Sequence, residues 1–226
     1  GAAIALERAR RAAEEGRPDE ALAQAERAWK SDPDHEAVAP VLAERYLAAG
    51  RARAAVRILE QVWARAPRAE LVALHARARD CRDDLARVKA AERLAALAPT
   101  HPESHLALTR ACLAARLWGE ARRHLAAATS AAGGVATAGM ARLMADIEDA
   151  ETGDQAAARL WLARAADAPA DAGWACAACG TGHARWQAVC GHCGAFDRIG
   201  WTTRTQIAAL PPAAAPQPLQ QGTKPP

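Results

Sequence analysis

Aromatic residues are scarce in this chain of 226 residues: one tyrosine, one phenylalanine and seven tryptophans. Lysine is scarcer still, at 30, 89 and 224 only. No run of about 18 apolar residues exists, so no segment is read as spanning a membrane. No stretch of alternating Val, Ile, Thr and Tyr occurs outside the C-terminal region, which excludes a large half-buried sheet. The net charge of +3 is too small to mark a nucleic-acid binder. Gly133-Gly134 lacks the spacing of a phosphate cradle, and no nucleophile, base and acid stand in a recognisable pattern. These absences exclude most enzyme classes and favour a non-catalytic protein.

What is abundant is alanine and arginine. A core of Ala and Leu requires helices in close contact, and Arg alternating with Glu and Asp describes a solvated helix face. A period of about 34 residues runs through the chain. Asp32-Pro33 is answered by Ala66-Pro67 and Ala98-Pro99, Trp29 by Trp63, and Gly16 by Gly50. This is the tetratricopeptide period: a helix pair, a small residue at the crossing and proline where the second helix ends. Small residues fall in register at Ala21 and Ala28, at Ala55, at Ala121 and Ala128, and at Ala158 and Ala165. The third unit is weaker, with its turn at Arg82-Asp83-Asp84 and Arg87 where alanine is usual. Pro40 falls inside the first helix of the second unit and predicts a late start or a kink.

The expected fold is therefore all-α: a tetratricopeptide-type solenoid of about five helix hairpins over residues 1–168. Its concave face would be lined by the first helix of each pair. Counted from the turns, that face carries Arg10, Glu44, Arg79, Leu106, Arg110, Met140 and Leu143, candidates for holding a protein partner. Each of them also fits an ordinary helix face.

A linker, 169–173, leads to a different pattern. Cys176, Cys179, Cys190 and Cys193 read as two C-x-x-C pairs, each followed by glycine, in Cys-Ala-Ala-Cys-Gly (176–180) and Cys-Gly-His-Cys-Gly (190–194). That spacing makes two thiolate knuckles facing one tetrahedral ion. Four thiolates close the shell and leave no position for substrate, which points to a structural or electron-transfer role. One zinc ion is the expected occupant, with iron as the alternative. A module of this size, 174–204, has almost no core, so the metal and Trp174, Trp186, Trp201 and Phe196 are expected to hold it together. Cys81 and Cys112 read as core thiols rather than a disulfide. His101 and His105 stand four apart and could clamp a metal, but Pro102 makes this an ordinary helix start. His183 and His192 lie in the module beside a shell that four thiols already complete. Covalent haem attachment is disfavoured because Gly180 and Gly194, not histidine, follow the pairs. The Pro- and Ala-rich tail, 205–226, is expected to be disordered.

The stretch His-Pro-Glu-Ser-His-Leu-Ala-Leu-Thr-Arg (101–110) with Leu-Trp-Gly-Glu-Ala-Arg-Arg-His-Leu (117–125) resembles alphaproteobacterial HemY-like proteins. So do Ala-Arg-Leu-Trp-Leu-Ala-Arg-Ala-Ala (158–166) and Cys-Gly-His-Cys-Gly-Ala-Phe-Asp (190–197) with Trp201. The resemblance covers about residues 1–204. It departs at Gly191, where that family often has proline, which leaves the ligands intact. It implies a scaffold or regulator associated with haem biosynthesis. It also implies an inner-membrane location on the cytoplasmic face, through an N-terminal anchor that this chain lacks, with this chain as a soluble fragment. The architecture also resembles LapB-type adaptors, which join tetratricopeptide repeats to a rubredoxin-like module and link a membrane protease to lipopolysaccharide synthesis. A third reading is an iron- or haem-sensing redox module.

Overall fold

The computed structural model describes residues 1–202. The expected tail, 205–226, and the last two residues of the expected metal module lie outside the described residues. The chain divides into two compact units, one spanning Gly1–Ala172 and one beginning at Gly173.

The first unit is a tetratricopeptide-type solenoid of ten helices. These are α1 (Ala2–Glu14), α2 (Pro18–Ser31), α3 (Val38–Ala48), α4 (Ala52–Trp63), α5 (Ala69–Ala78), α6 (Asp84–Leu97), α7 (Pro102–Ala114), α8 (Trp118–Ala131), α9 (Ala138–Thr152) and α10 (Gln155–Asp167). Each helix packs on the next, and the first helices of neighbouring hairpins also touch, α1 on α3, α3 on α5, α5 on α7 and α7 on α9.

The hairpin turns share one device. One or two residues past each first helix the backbone takes a left-handed conformation: Gly16 (φ +72°), Gly50 (φ +69°), Asp80 (φ +52°), Arg116 (φ +58°) and Gly153 (φ +67°). In four of them the following amide reaches five residues back: Arg17 N to Ala12 O at 2.8 Å, Arg51 N to Tyr46 O at 2.8 Å, Cys81 N to Ala76 O at 3.0 Å, and Leu117 N to Cys112 O at 2.8 Å. These bonds satisfy carbonyls that the helix end leaves open. The third turn is longer and occupies residues 79–83. It turns at Asp80 rather than at the expected Arg82-Asp83-Asp84, because aspartate tolerates the left-handed region and no glycine was needed. Asp83 then caps α6 by accepting the Ala86 amide at 2.7 Å. With that longer loop, α5 and α6 touch least of the five hairpin pairs. Pro40 lies in the first turn of α3, where its missing N–H breaks no helical bond, so the helix starts late without a kink.

Alanine fills the closest approaches. Ala9, Ala25, Ala43, Ala55 and Ala121 are fully buried. One core cluster is built around Leu42, Leu59, Trp63, Leu71 and Leu94. Trp63 donates its indole N–H to Ser104 Oγ at 3.3 Å, tying α4 to α7. A second cluster contains Val88, Leu125 and Ile147 together with Leu106, Met140 and Leu143. The last three were expected on an open groove and are instead core residues, 5%, 3% and 9% exposed. Counting from the turns located their helices correctly, but their apolar side chains face the adjoining helices. Cys81 and Cys112 remain separate thiols.

Residues just after α10 fold back on the repeat unit. Pro169 O accepts the Ala138 amide at 2.8 Å. The Thr137 hydroxyl donates to Asp171 Oδ1 at 2.5 Å. A Cβ placed on Gly139 would stand 2.7 Å from the Asp171 carboxylate, so a larger residue there would displace that carboxylate.

Two measurements test this account. Arg116 is exposed and strained, so Arg116→Gly should raise stability by about 0.5–1 kcal/mol, the left-handed cost of about 1–2 kcal/mol less glycine's unfolded-state entropy. Thermal unfolding should then show a rise of about 1–4 °C. The second concerns pH. Burial first of all pushes the His75, His101 and His124 imidazoles below their usual range, although Glu60 at 3.1 Å partly opposes this at His75. The unfolded chain therefore takes up protons near pH 6.5 that the folded chain resists, and stability falls as pH drops through about 6.5. The urea midpoint of the helical signal should be lower at pH 5.5 than at pH 7.5, and His75→Gln should shrink the difference.

Candidate metal centre

The second unit contains a small antiparallel sheet of β1 (Gly173–Cys176), β2 (Gly182–His183) and β3 (Ile199–Thr202), in the order β2-β1-β3. The register pairs Trp174 with His183 on one side and with Trp201 on the other. The Trp174 and Trp201 rings meet edge to face with centroids 5.5 Å apart, a favoured aromatic geometry. Trp174, Ala188 and Ile199 are buried with Cys176 and Cys190. Trp186 and Trp201 are half-buried. Phe196, expected in this core, is 50% exposed. It bridges to Val189, itself 50% exposed, and a small module buries few side chains fully.

Each cysteine pair closes the same backbone knot. Gly180 N donates to Cys176 O at 2.8 Å and Gly194 N to Cys190 O at 2.9 Å. In the reverse direction, Cys176 N donates to Thr181 O and Cys190 N to Ala195 O, both at 2.9 Å. Gly180 and Gly194 sit at φ +74° and +72°, the turn that lets the second thiol of each pair swing toward the first. Ala177 N bonds Arg198 O at 2.6 Å and Asp197 N bonds Ala188 O at 2.7 Å, holding each knuckle to chain outside it.

The result brings all four sulfurs within 4.8 Å of one another. Cys176 Sγ lies 3.8 Å from Cys193 Sγ, and Cys179 Sγ lies 3.7 Å from Cys190 Sγ. A tetrahedron with metal–sulfur bonds of about 2.3 Å has edges of about 3.8 Å, so the donor set fits one tetrahedral ion. Cys176 and Cys190 are buried, Cys179 and Cys193 exposed. Thr181, by hydroxyl and amide, holds the Cys179 thiol down to about 6. The Ala195 amide pulls Cys193 the same way, but lost solvent and three neighbouring sulfurs push it up to about 12. Burial likewise raises Cys176.

Of the two side chains beside the sulfurs, Thr181 was not recognised from sequence and His183 was weighed only as a ligand. The Thr181 hydroxyl is 3.3 Å from Cys179 Sγ, and His183 Nε2 is 3.4 Å from Cys190 Sγ. His183 is a neighbour of a sulfur, in the place of a hydrogen-bond donor. His192 is exposed.

The other candidates do not converge. His101 caps α7, its Nδ1 accepting the Glu103 amide at 3.1 Å. His105 meets His124 instead, Nδ1 to Nδ1 at 3.4 Å. Among the described residues the four cysteines form the one group of metal-holding geometry. Arg10 pairs with Glu7 and Glu14 on its own helix. Glu44 lies beside Arg45, Arg110 is 3.9 Å from Glu103, and Arg79 is 3.8 Å from Glu60. No helix among the described residues is long and apolar enough to cross a membrane.

The chain is similar in part to a known family and to known proteins. The tetratricopeptide repeat family model matches residues 12–78. The chain is 35% identical over 213 residues to the probable magnetosome protein Mms48 of Magnetospirillum gryphiswaldense, a match that takes in 93% of this chain and 47% of that protein. The chain thus spans about half the length of that relative. Among solved structures, MamA aligns with a TM-score of 0.43 and 17% identity, over 74% of this chain and 90% of that one. A putative kinesin light chain with tetratricopeptide-like repeats from Podosopora anserina aligns with a TM-score of 0.43 and 21% identity, over 73% and 92%.

The knuckle geometry yields a paired prediction. Gly194 needs its positive φ, whereas Gly191 has an ordinary backbone and open space around a would-be Cβ. Gly194→Ala should weaken zinc binding by about 5- to 30-fold, the equivalent of about 1–2 kcal/mol of left-handed strain. Gly191→Ala should leave it unchanged. Zinc titration against a competing chelator reads both.

Proposed function

We propose that this chain is a non-catalytic scaffold. Its repeat unit binds protein partners, and its cysteine module is held by one zinc ion on Cys176, Cys179, Cys190 and Cys193. The observation that carries the reading is the similarity to Mms48, which extends over 93% of the chain and so takes in repeats and cysteine module together. By that similarity the partners we infer belong to a magnetosome-type assembly. Partner binding itself fits an array of hairpins whose exposed faces carry paired charges and no catalytic grouping.

Zinc fits the site because four thiolates at tetrahedral spacing close its shell. When bound it would supply cross-links that a module with few buried side chains cannot supply for itself. Cys176 and Cys190 would anchor it from the buried side, Cys179 and Cys193 from the exposed side. Iron in the same site remains the redox alternative. The haem-biosynthesis association, the lipopolysaccharide-adaptor reading and the inner-membrane placement rest on the resemblances noted in the sequence, and the relatives described above lend them no support.

The test joins metal analysis to partner capture. Protein purified from its native source should contain one zinc per chain and be colourless. The Cys176→Ser/Cys190→Ser variant should lose the metal and the Trp174 near-ultraviolet signal while keeping its helical signal. Cross-linking in native membranes should then recover magnetosome-type proteins with the intact chain. A red, iron-loaded protein would overturn the zinc assignment. Recovery of haem-pathway enzymes instead would overturn the partner assignment.

A further inference from the structure

We propose that His183 is a positioning residue of the metal centre: its Nε2–H donates to Cys190 Sγ and damps the charge of that thiolate. This rests on the four-thiolate reading above.

The two knuckles are alike in backbone and unlike in side chains. Their frames superimpose by bonding pattern, Cys176 with Cys190, Gly180 with Gly194 and Thr181 with Ala195. Carried two residues further, His183 corresponds to Asp197. The first knuckle therefore supplies two side-chain donors, and the second supplies a methyl group and a carboxylate in the same places. Thr181 serves a sulfur of its own knuckle, at 3.3 Å. His183 reaches across to the other knuckle, 3.4 Å from Cys190 Sγ, within the longer range expected when sulfur accepts. Its backbone is fixed by the pairing of β2 with β1 opposite Trp174, so the sheet itself aims the ring.

The reach matters because of where Cys190 is. Four thiolates around a divalent ion carry a net charge of −2. Two of them, Cys179 and Cys193, can share that charge with water, since they are exposed. Cys190 is 1% exposed and cannot. A buried thiolate without a donor is strongly disfavoured, and a hydrogen bond from a neighbouring N–H offsets that cost and fixes the direction of the sulfur lone pairs. The buried partner sulfur, Cys176, already faces the amides of Ala178 and Cys179. At Cys190, His183 adds a donor from a side chain.

The experiment compares His183→Phe and His183→Gln with the wild-type chain, using zinc and cobalt(II) separately as probes. His183→Phe should lower zinc affinity by about 10- to 100-fold in chelator competition. It should also move the thiolate-to-cobalt absorption to lower energy, because a thiolate without its donor gives up electron density more readily. His183→Gln keeps an N–H donor and should restore much of both. Unchanged affinity and absorption in His183→Phe would overturn the proposal. Equal losses in both variants with an unmoved cobalt band would also overturn it, by showing that the ring merely packs. Failure of the wild-type chain to bind either ion would be a different result, overturning the four-thiolate reading beneath it.

Discussion

The repeat unit depends on one constraint: two helices of a hairpin can close only where no side chain stands between them. Alanine meets it. Ala9 and Ala25 in the first hairpin and Ala43 and Ala55 in the second are fully buried, each burying little apolar surface itself. What they provide is access. They bring larger groups such as Leu42, Leu59 and Trp63 into one continuous cluster, where dispersion and apolar burial accumulate over many contacts. The third hairpin shows the rule by relaxing it. Its turn is longer, His75 is the fully buried polar residue of α5, and α5 and α6 touch least. The array tolerates this because α6 packs well on α7 and α5 on α4. Stability in a solenoid is close to a sum over neighbours, so one loose hairpin can be carried by the interfaces on either side.

The cysteine module solves the opposite problem. It has almost no interior, and its exposed Phe196 and Val189 show that side chains alone cannot close it. Its order is written in short-range backbone bonds, repeated in two knuckles with the same distances to within 0.1 Å for Gly180 and Gly194. Those bonds crowd four sulfurs together at a spacing that has a clear use only around a cation. Without one, neighbouring thiols resist ionising together, because each thiolate formed repels the next.

What was legible in the sequence follows from how local each interaction is. The knuckles were readable because ligands, glycines and turn bonds all lie within six residues of one another. The turns at Gly16 and Gly50 were readable because glycine marks a left-handed backbone. Those at Asp80 and Arg116 have no such mark, since their conformation is imposed by the helices they join. Leu106, Met140 and Leu143 were misplaced for a related reason. Periodicity gives the helix and its face relative to the turn, but which neighbour covers that face is a tertiary fact. The His183 contact was hidden for the same reason: it needs the register of β2 on β1, set between residues nine apart, to bring a first-knuckle side chain to a second-knuckle sulfur.

The segment expected as a linker carries the same lesson to the boundary between the two units. Composition alone, Pro-Ala-Asp-Ala-Gly over 169–173, reads as a spacer. Yet Pro169 takes the first free amide of α9, and Asp171 receives the hydroxyl of Thr137, whose own oxygen accepts the Met140 amide at 3.4 Å. A carboxylate at a helix N-terminus is favoured by the helix dipole, and the bare Cα of Gly139 leaves the space it needs. Three independent features, a carbonyl, a carboxylate and a missing Cβ, therefore point to one docking of the chain on α9. The residues up to Asp171 therefore belong physically to the repeat unit.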